Sequence, residues 1–182
     1  MICHDTKYIF VHIPKTAGKS ITKGIGGNIQ QNKRHLFPKD YDHKLWSKYF
    51  TFTCVRHPLD RLVSWYFFMR KRFKEGSISD SSILANDNTF KQFVELHLDK
   101  RWTIQPQVNW FDENYKYNYV MKIESIEKDF SKVCEALSIK SKLPFINKSD
   151  RKKNYISYYD SETLDIAYNF YINDFQKLEY SI

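Results

Sequence analysis

KYIFVHIPKTAGKS, residues 7–20, sets a β-branched and aromatic run, Lys7 to Ile13, directly against a loop made of Pro14, Lys15, Thr16, Ala17, Gly18, Lys19 and Ser20. Short, mostly apolar runs of this kind form buried parallel strands. Pro14 ends the strand. Ser20 to Ile25 then reads as a short helix, weakened by Gly24, Gly26 and Gly27. A strand–loop–helix junction turns unpaired backbone N–H groups toward one spot and adds the positive end of the helix dipole. Gly18 allows a close backbone approach. Lys15 and Lys19 bring charge, Thr16 and Ser20 bring hydroxyls, and the whole cradle from Lys15 to Ser20, Ala17 included, is the expected seat of a phosphate-type anion.

The pattern repeats outward from that junction. Tyr49 to Val55 (YFTFTCV) reads as a second strand and Tyr117 to Ile123 as a third. A helix is expected from Pro58 to about Phe73, since proline is favoured at a first helical position. Leu59, Leu62, Val63 and Tyr66 recur at helical spacing and are expected to face the sheet. Thr89 and Gln92 form a capping box for a helix to Leu98. Ile126, Phe130, Val133, Cys134 and Leu137 mark another helix, and Leu164, Ala167, Tyr168, Tyr171 and Phe175 a last one. Residues 28–48 and 75–88 read as irregular connections, the second also open to a mobile lid. Strands alternating with helices predict a three-layer α/β fold, a parallel sheet flanked by helices, of the nucleotide-phosphate-binding (P-loop) type. No linker interrupts the pattern, so residues 1–182 are expected to be a single domain.

A chain of 182 residues with 42% apolar and 17% aromatic side chains can bury a core, which excludes a disordered polymer. The +8 net charge suits an anionic partner but equally an ordinary basic surface. Cys3, Cys54 and Cys134 are odd in number and form no CxxC pair. Reduced thiols are therefore expected, with Cys54 and Cys134 in the core. The start, MICHDTK, is polar, and no apolar run approaches the ~20 residues of a membrane helix. A soluble, cytoplasmic protein with no transmembrane segment is the expectation.

A second constellation, Thr53 to Ser64 (TCVRHPLDRLVS), runs from a strand end into a helix. Arg56 sits at the carboxyl end of its strand, the edge where open α/β sheets bind ligands. Its guanidinium can grip a phosphate with two parallel hydrogen bonds, and Ser64, two turns on, could reach the same group. Equally, Arg56 could pair with a carboxylate such as Asp60, and Ser64 could simply fill a small space. Gly18-Lys19-Ser20 is also the tail of a nucleoside-triphosphate loop, but Ile13 stands where that motif needs its leading glycine.

Taken together, VHIPKTAGKS and FTCVRHPLDRLVSWY resemble the two cofactor signatures of the carbohydrate sulfotransferases (sulfotransferase family 2-like), which use 3′-phosphoadenosine 5′-phosphosulfate (PAPS). The resemblance implies that Lys15, Thr16, Ala17, Gly18, Lys19 and Ser20 hold the 5′-phosphosulfate, and that Arg56 and Ser64 hold the 3′-phosphate. It continues through Gln105-Pro106-Gln107, Lys122-Ile123-Glu124-Ser125-Ile126, Leu143 to Ser149 and Tyr158-Tyr159-Asp160, in family order. Lys19 replaces a residue that is often a small hydroxyl residue in the family. The chain is short and lacks the membrane anchor of the Golgi members, which implies a soluble relative. The product would be adenosine 3′,5′-bisphosphate, the acceptor a hydroxyl on a carbohydrate, with no metal and no nucleic acid required.

Sulfuryl transfer needs a base for the acceptor proton and a cation for the leaving phosphate. Lys15 is the expected cation. Of His4, His12, His35, His43, His57 and His97, the resemblance favours His35, since short relatives often carry a catalytic histidine between the two signatures; His12 is the alternative, and a surface role for His35 stays open. Lys148, Arg151, Lys152 and Lys153 form a basic stretch that could close over the nucleotide, with Arg151 assigned to the cofactor and Lys152 read as solvated charge. Two rival functions remain: a small P-loop kinase or nucleotide hydrolase, and a basic non-catalytic nucleic-acid binder, for which no RNA-binding signature is present.

Overall fold

A computed structural model describes residues 1–26, 35–98, 104–144, 146 and 151–182. They fall into two compact units, Met1–Arg56 with Asn109–Asn147, and His57–Val108 with Lys148–Ile182. The first is mixed α/β and the second is helical.

The first unit is built on a four-stranded sheet in the order β1 (Ile2–Cys3), β2 (Tyr8–Val11), β3 (Phe50–Val55) and β4 (Tyr119–Lys122). β2, β3 and β4 are the three strands expected, trimmed at their ends, and they pair in parallel, Val11 opposite Thr53 and Val55 opposite Lys122. The sheet is not wholly parallel, however. Ile2 and Cys3 pair antiparallel with Ile9 and Tyr8. A two-residue edge strand is too short to show a period, so the polar MICHDTK stretch concealed it. Tyr8, Phe10, Phe52, Cys54 and Met121 form one core with Ile21 and Ile25, at the end of α1 (Gly18–Gly24), and with Phe130, Val133, Cys134 and Leu137, from α6 (Ile126–Ala136) and its C-cap. The opposite-facing Ile9, Val11, Thr51, Thr53 and Val55 are buried as well, the burial on both sides expected of parallel strands. The Thr53 hydroxyl donates to the Val11 carbonyl at 2.8 Å, so the polar group that breaks the apolar run is satisfied. All three cysteines are free, and Cys54 and Cys134 are buried as expected.

Residues 35–48 are more ordered than their composition suggested. A 3-10 turn spans Pro38–Asp40, and α2 (His43–Trp46) follows. Asp42 caps α2, accepting from the N–H groups of Lys44 (2.7 Å) and Leu45 (3.2 Å). That N-cap was the available sequence signal.

The second unit holds α3 (Pro58–Lys74), α4 (Asp80–Asp87), α5 (Phe90–His97), α7 (Ser161–Phe170) and α8 (Ile172–Lys177). α3 has the bounds expected, but Leu59, Leu62, Val63 and Tyr66 share a core with Phe90, Phe93 and Val94 of α5, Ala167 of α7 and Phe175 of α8. Helical periodicity identifies a buried face, not its partner, and within its own unit this face packs on helices. The expected connection at 75–88 contains α4. Its hydrophilic composition concealed it, because the buried Ser82 hydroxyl is accommodated by donating to the Ser79 carbonyl at 2.7 Å. The single last helix is two, broken at Tyr171, whose buried hydroxyl reaches the Ile104 carbonyl at 2.7 Å. The Thr89–Gln92 capping box is formed as read.

Two buried aspartates tie loops to helices, one in each unit. Asp174 accepts from the Gln107 and Val108 N–H groups at 2.9 and 2.8 Å; burial nevertheless raises its pKa. In the first unit burial also pushes Asp129 up, but donation from the Lys122 N–H (2.9 Å), the Ser125 hydroxyl (2.8 Å) and the Tyr119 hydroxyl (2.9 Å) outweighs it, and the pKa ends below the ordinary value. A folded-state pKa below the unfolded one gives stability that is present above the unfolded value and lost as the pH falls through the folded one. Asp129→Asn is expected to cost about 1–3 kcal/mol at neutral pH. In urea titrations the difference from wild type should shrink below pH ~4; a pH-independent difference would mean that the carboxylate charge plays no part.

Candidate active site

The carboxyl ends of β2 and β3 carry the groups singled out in the sequence. After Val11 the chain continues through His12 and Ile13 into the loop. Thr16 is fully buried, and its hydroxyl donates to the Ile13 carbonyl at 2.8 Å, pinning the loop to the strand end. Its hydroxyl proton is thus used within the loop, which leaves the backbone N–H as its donor for a ligand. Lys15 (φ 69°) and Ala17 (φ 59°, ψ 18°) are left-handed, a conformation that costs a non-glycine residue roughly 1–2 kcal/mol. Alternation with left-handed residues creates the backbone concavities in which proteins hold anions. Ala17 is also the N-cap of α1 and offers no side-chain acceptor, so no side chain caps the first turn. Lys15 is half-buried and Lys19 exposed. Ser20 is buried, with its hydroxyl accepting from the Ile146 N–H at 3.2 Å, which ties the Leu143 to Ser149 landmark to the loop helix; residues 145 and 147–149 of that landmark lie outside the described residues.

Gly18 has a role the sequence did not disclose. A Cβ built on it would lie 1.9 Å from Cδ2 and 2.0 Å from Nε2 of His12. The imidazole of the residue leaving β2 occupies the space that any side chain at 18 would need. The close approach that glycine permits here is to His12.

His35 closes the arrangement from the other side. Its ring lies 4.4 Å from that of His12, centroid to centroid, and its Nδ1 is 2.8 Å from the His12 carbonyl oxygen. A carbonyl only accepts, so Nδ1 carries the proton, and in the neutral ring Nε2 is the basic nitrogen. His35 has φ 62°. Its own carbonyl accepts from the Trp110 Nε1–H at 3.4 Å, and Trp110 stacks on Phe37 at 4.9 Å. Trp110 went unnoticed in the sequence; an aromatic three residues beyond Gln105-Pro106-Gln107 has no local signature of contact with residue 35.

Arg56, at the end of β3, donates from Nη1 to the Lys15 carbonyl at 3.3 Å. It braces the left-handed Lys15 of the loop. The first unit thus brings together Lys15, Gly18, His12, His35 and Arg56.

The remaining predicted residues belong to the second unit. Ser64 is buried on α3, and Arg151 is paired with Asp60 at 2.5 Å, both side chains mostly buried. Asp60, weighed above as a partner for Arg56, is the partner of Arg151. His57 precedes α3 and its Nε2 is 2.9 Å from the Ser181 carbonyl, a packed histidine. Lys152 and Lys153 are exposed, as expected of a solvated run; Lys148 lies outside the described residues. The other landmarks carry structural ties: Gln107 and Asp174, Ser125 and Asp129, and Asp160, which caps α7 by accepting from the Thr163 N–H at 2.9 Å.

The first unit therefore gathers a basic, glycine-requiring loop after a parallel strand, an arginine at the end of the next strand and a histidine of fixed tautomer. The model of the sulfotransferase family matches residues 1–181, and the chain belongs to that family, whose members are transferases of the sulfuryl group. No curated protein and no solved structure matches it. Among the described residues no helix is long and apolar enough to cross a membrane, and no group of His, Cys, Asp and Glu is placed to hold a metal ion.

The contact between His12 and residue 18 gives a test. Gly18→Ala should lower the melting temperature, and adding His12→Ala should restore it by opening the space. Ala17→Gly, at a left-handed position, should be neutral or raise the melting temperature. A Gly18→Ala single variant of unchanged melting temperature would show that the His12 ring is free to leave.

Proposed function

We propose that this chain transfers a sulfuryl group from PAPS to a carbohydrate hydroxyl, and that its two units act as one sulfotransferase domain with a P-loop-type donor site. The observation that carries the proposal is the convergence of the Lys15–Ser20 loop, Arg56 and the tautomer-fixed His35 at one sheet edge. The donor chemistry fits these residues. The loop supplies backbone N–H groups in an anion-binding conformation and the charges of Lys15 and Lys19, with Thr16, Ala17, Gly18 and Ser20 shaping it. Arg56 and, following the family signatures, Ser64 and Arg151 are assigned to the 3′-phosphate. The family match runs through both units, which supports reading them as one domain.

PAPS supplies an activated sulfuryl group on a good leaving phosphate. His35 Nε2 accepts the proton of the acceptor hydroxyl as its oxygen bonds to sulfur, and Nδ1–H, held by the His12 carbonyl, keeps the ring oriented while charge builds on it. Lys15 lies on the loop where the leaving phosphate gains charge as the sulfur–oxygen bond breaks, and neutralises it. The acceptor oxygen gains the sulfuryl group and adenosine 3′,5′-bisphosphate departs. A site of this kind needs no metal.

Adenosine 3′,5′-bisphosphate should bind at least roughly tenfold more tightly than adenosine 5′-monophosphate, since one charge-assisted contact is worth ~1.5–3 kcal/mol. Calorimetry that shows equal affinities, or a preference for ATP with magnesium, would favour the kinase reading. His35→Ala should lower kcat by ~10²–10⁴ with donor binding nearly intact and remove the acidic limb of the pH–rate profile. Lys15→Ala should reduce kcat more than donor affinity. Wild-type turnover in His35→Ala would move the base to another residue.

A further inference from the structure

Two residues along the chain from His35 begins the lining of a pocket of about 170 Å³, formed by Phe37, Pro38, Lys39, Asn109, Phe111 and Asp112. Its lining comes from two segments, residues 37–39 and residues 109, 111 and 112, the second of which flanks Trp110 in the chain. That indole stacks on Phe37 and donates to the His35 carbonyl, so the pocket is built onto the backbone of the candidate base. Phe37 and Phe111 are half-buried, while Lys39, Asn109 and Asp112 are exposed at the rim. None of the six belongs to the donor loop.

This composition is selective. The faces of a sugar ring present C–H groups that pack on aromatic side chains, while its rim of hydroxyls needs both donors and acceptors. Phe37 and Phe111 supply the first; the Asn109 amide, the Lys39 ammonium and the Asp112 carboxylate supply the second. One cation and one anion leave the rim without net charge, although the chain as a whole carries +8. A seat for an anionic ring would be expected to repeat the positive excess of the rest of the protein.

Resting on the sulfotransferase reading above, we propose that this pocket is the acceptor seat and that it takes a neutral sugar ring, one hydroxyl directed to His35, in preference to a uronic acid or an aromatic alcohol. Asp112 disfavours a carboxylate on the ring. Asn109 hydrogen-bonds a hydroxyl neighbouring the one that reacts.

The test uses the full chain with PAPS and three acceptors: a panel of methyl glycosides of neutral hexoses, the methyl glycoside of a uronic acid, and a simple phenol. Adenosine 3′,5′-bisphosphate binding is measured in parallel. Neutral glycosides should be the best acceptors. Asn109→Ala should raise their KM by roughly twofold to tenfold, as for loss of one hydrogen bond, with kcat and bisphosphate affinity unchanged. Asp112→Asn keeps an acceptor for the Asn114 N–H, which Asp112 bonds at 2.8 Å, so the turn is preserved; it should narrow the preference for neutral over uronic rings, and Lys39→Gln should widen it. If bisphosphate binds and the phenol or the uronic glycoside is sulfated best, with KM values indifferent to Asn109 and Asp112, the acceptor seat is overturned while sulfuryl transfer stands. If bisphosphate does not bind, the transfer reading falls and the seat with it.

Discussion

The packing of the His12 imidazole on the bare Cα of Gly18 governs the candidate site. The residue that follows β2 and the first residue of α1 can approach this closely only where one of them has no side chain. Because the ring is held there, the His12 carbonyl is held too, and that carbonyl is what His35 binds. One steric condition therefore couples the loop from Lys15 to Ser20 to His35. A change at residue 18 reaches His35 through two contacts, although the two lie in different segments of the chain.

The loop carries strain, and its neighbours oppose that strain. Lys15 and Ala17 sit in a backbone region that disfavours side chains, and such residues persist where the surroundings over-determine them. Here Thr16 anchors the loop to Ile13 and Arg56 holds the Lys15 carbonyl. At Ala17 a glycine would adopt the same angles without penalty. Arg56 thus serves the loop in addition to any phosphate it binds, so its loss would affect both.

Much of the family likeness downstream of the two signatures is a record of folding. Asp174 collects the Gln107 and Val108 N–H groups, Asp129 collects Lys122 and Ser125, and Asp160 caps α7. Such carboxylates, buried at Asp174 and Asp129 and exposed at Asp160, satisfy backbone donors where loops leave regular structure. Arg61, fully buried, donates to the Gln105 carbonyl in the same way. These residues hold loops in place.

The sequence by itself determined the three parallel strands, the loop from Lys15 to Ser20, the extent of α3 and the capping box at Thr89, because period, proline, glycine and caps act over a few neighbouring residues. It also singled out Arg56, whereas His35 was favoured only through the family resemblance. Tertiary structure alone decided the rest: that β1 adds an antiparallel edge, that the apolar face of α3 packs on helices, that Ser82 can sit buried in a helix, and that Tyr171 breaks the last one. The same holds for the site. That His12 fills the space at Gly18, that its carbonyl sets the His35 tautomer, and that Trp110 joins His35 to an aromatic pocket all depend on residues brought together across 6, 23 and 75 positions of chain. Local pattern carries no information about such pairings, because many partners satisfy the same periodicity and only close packing selects among them.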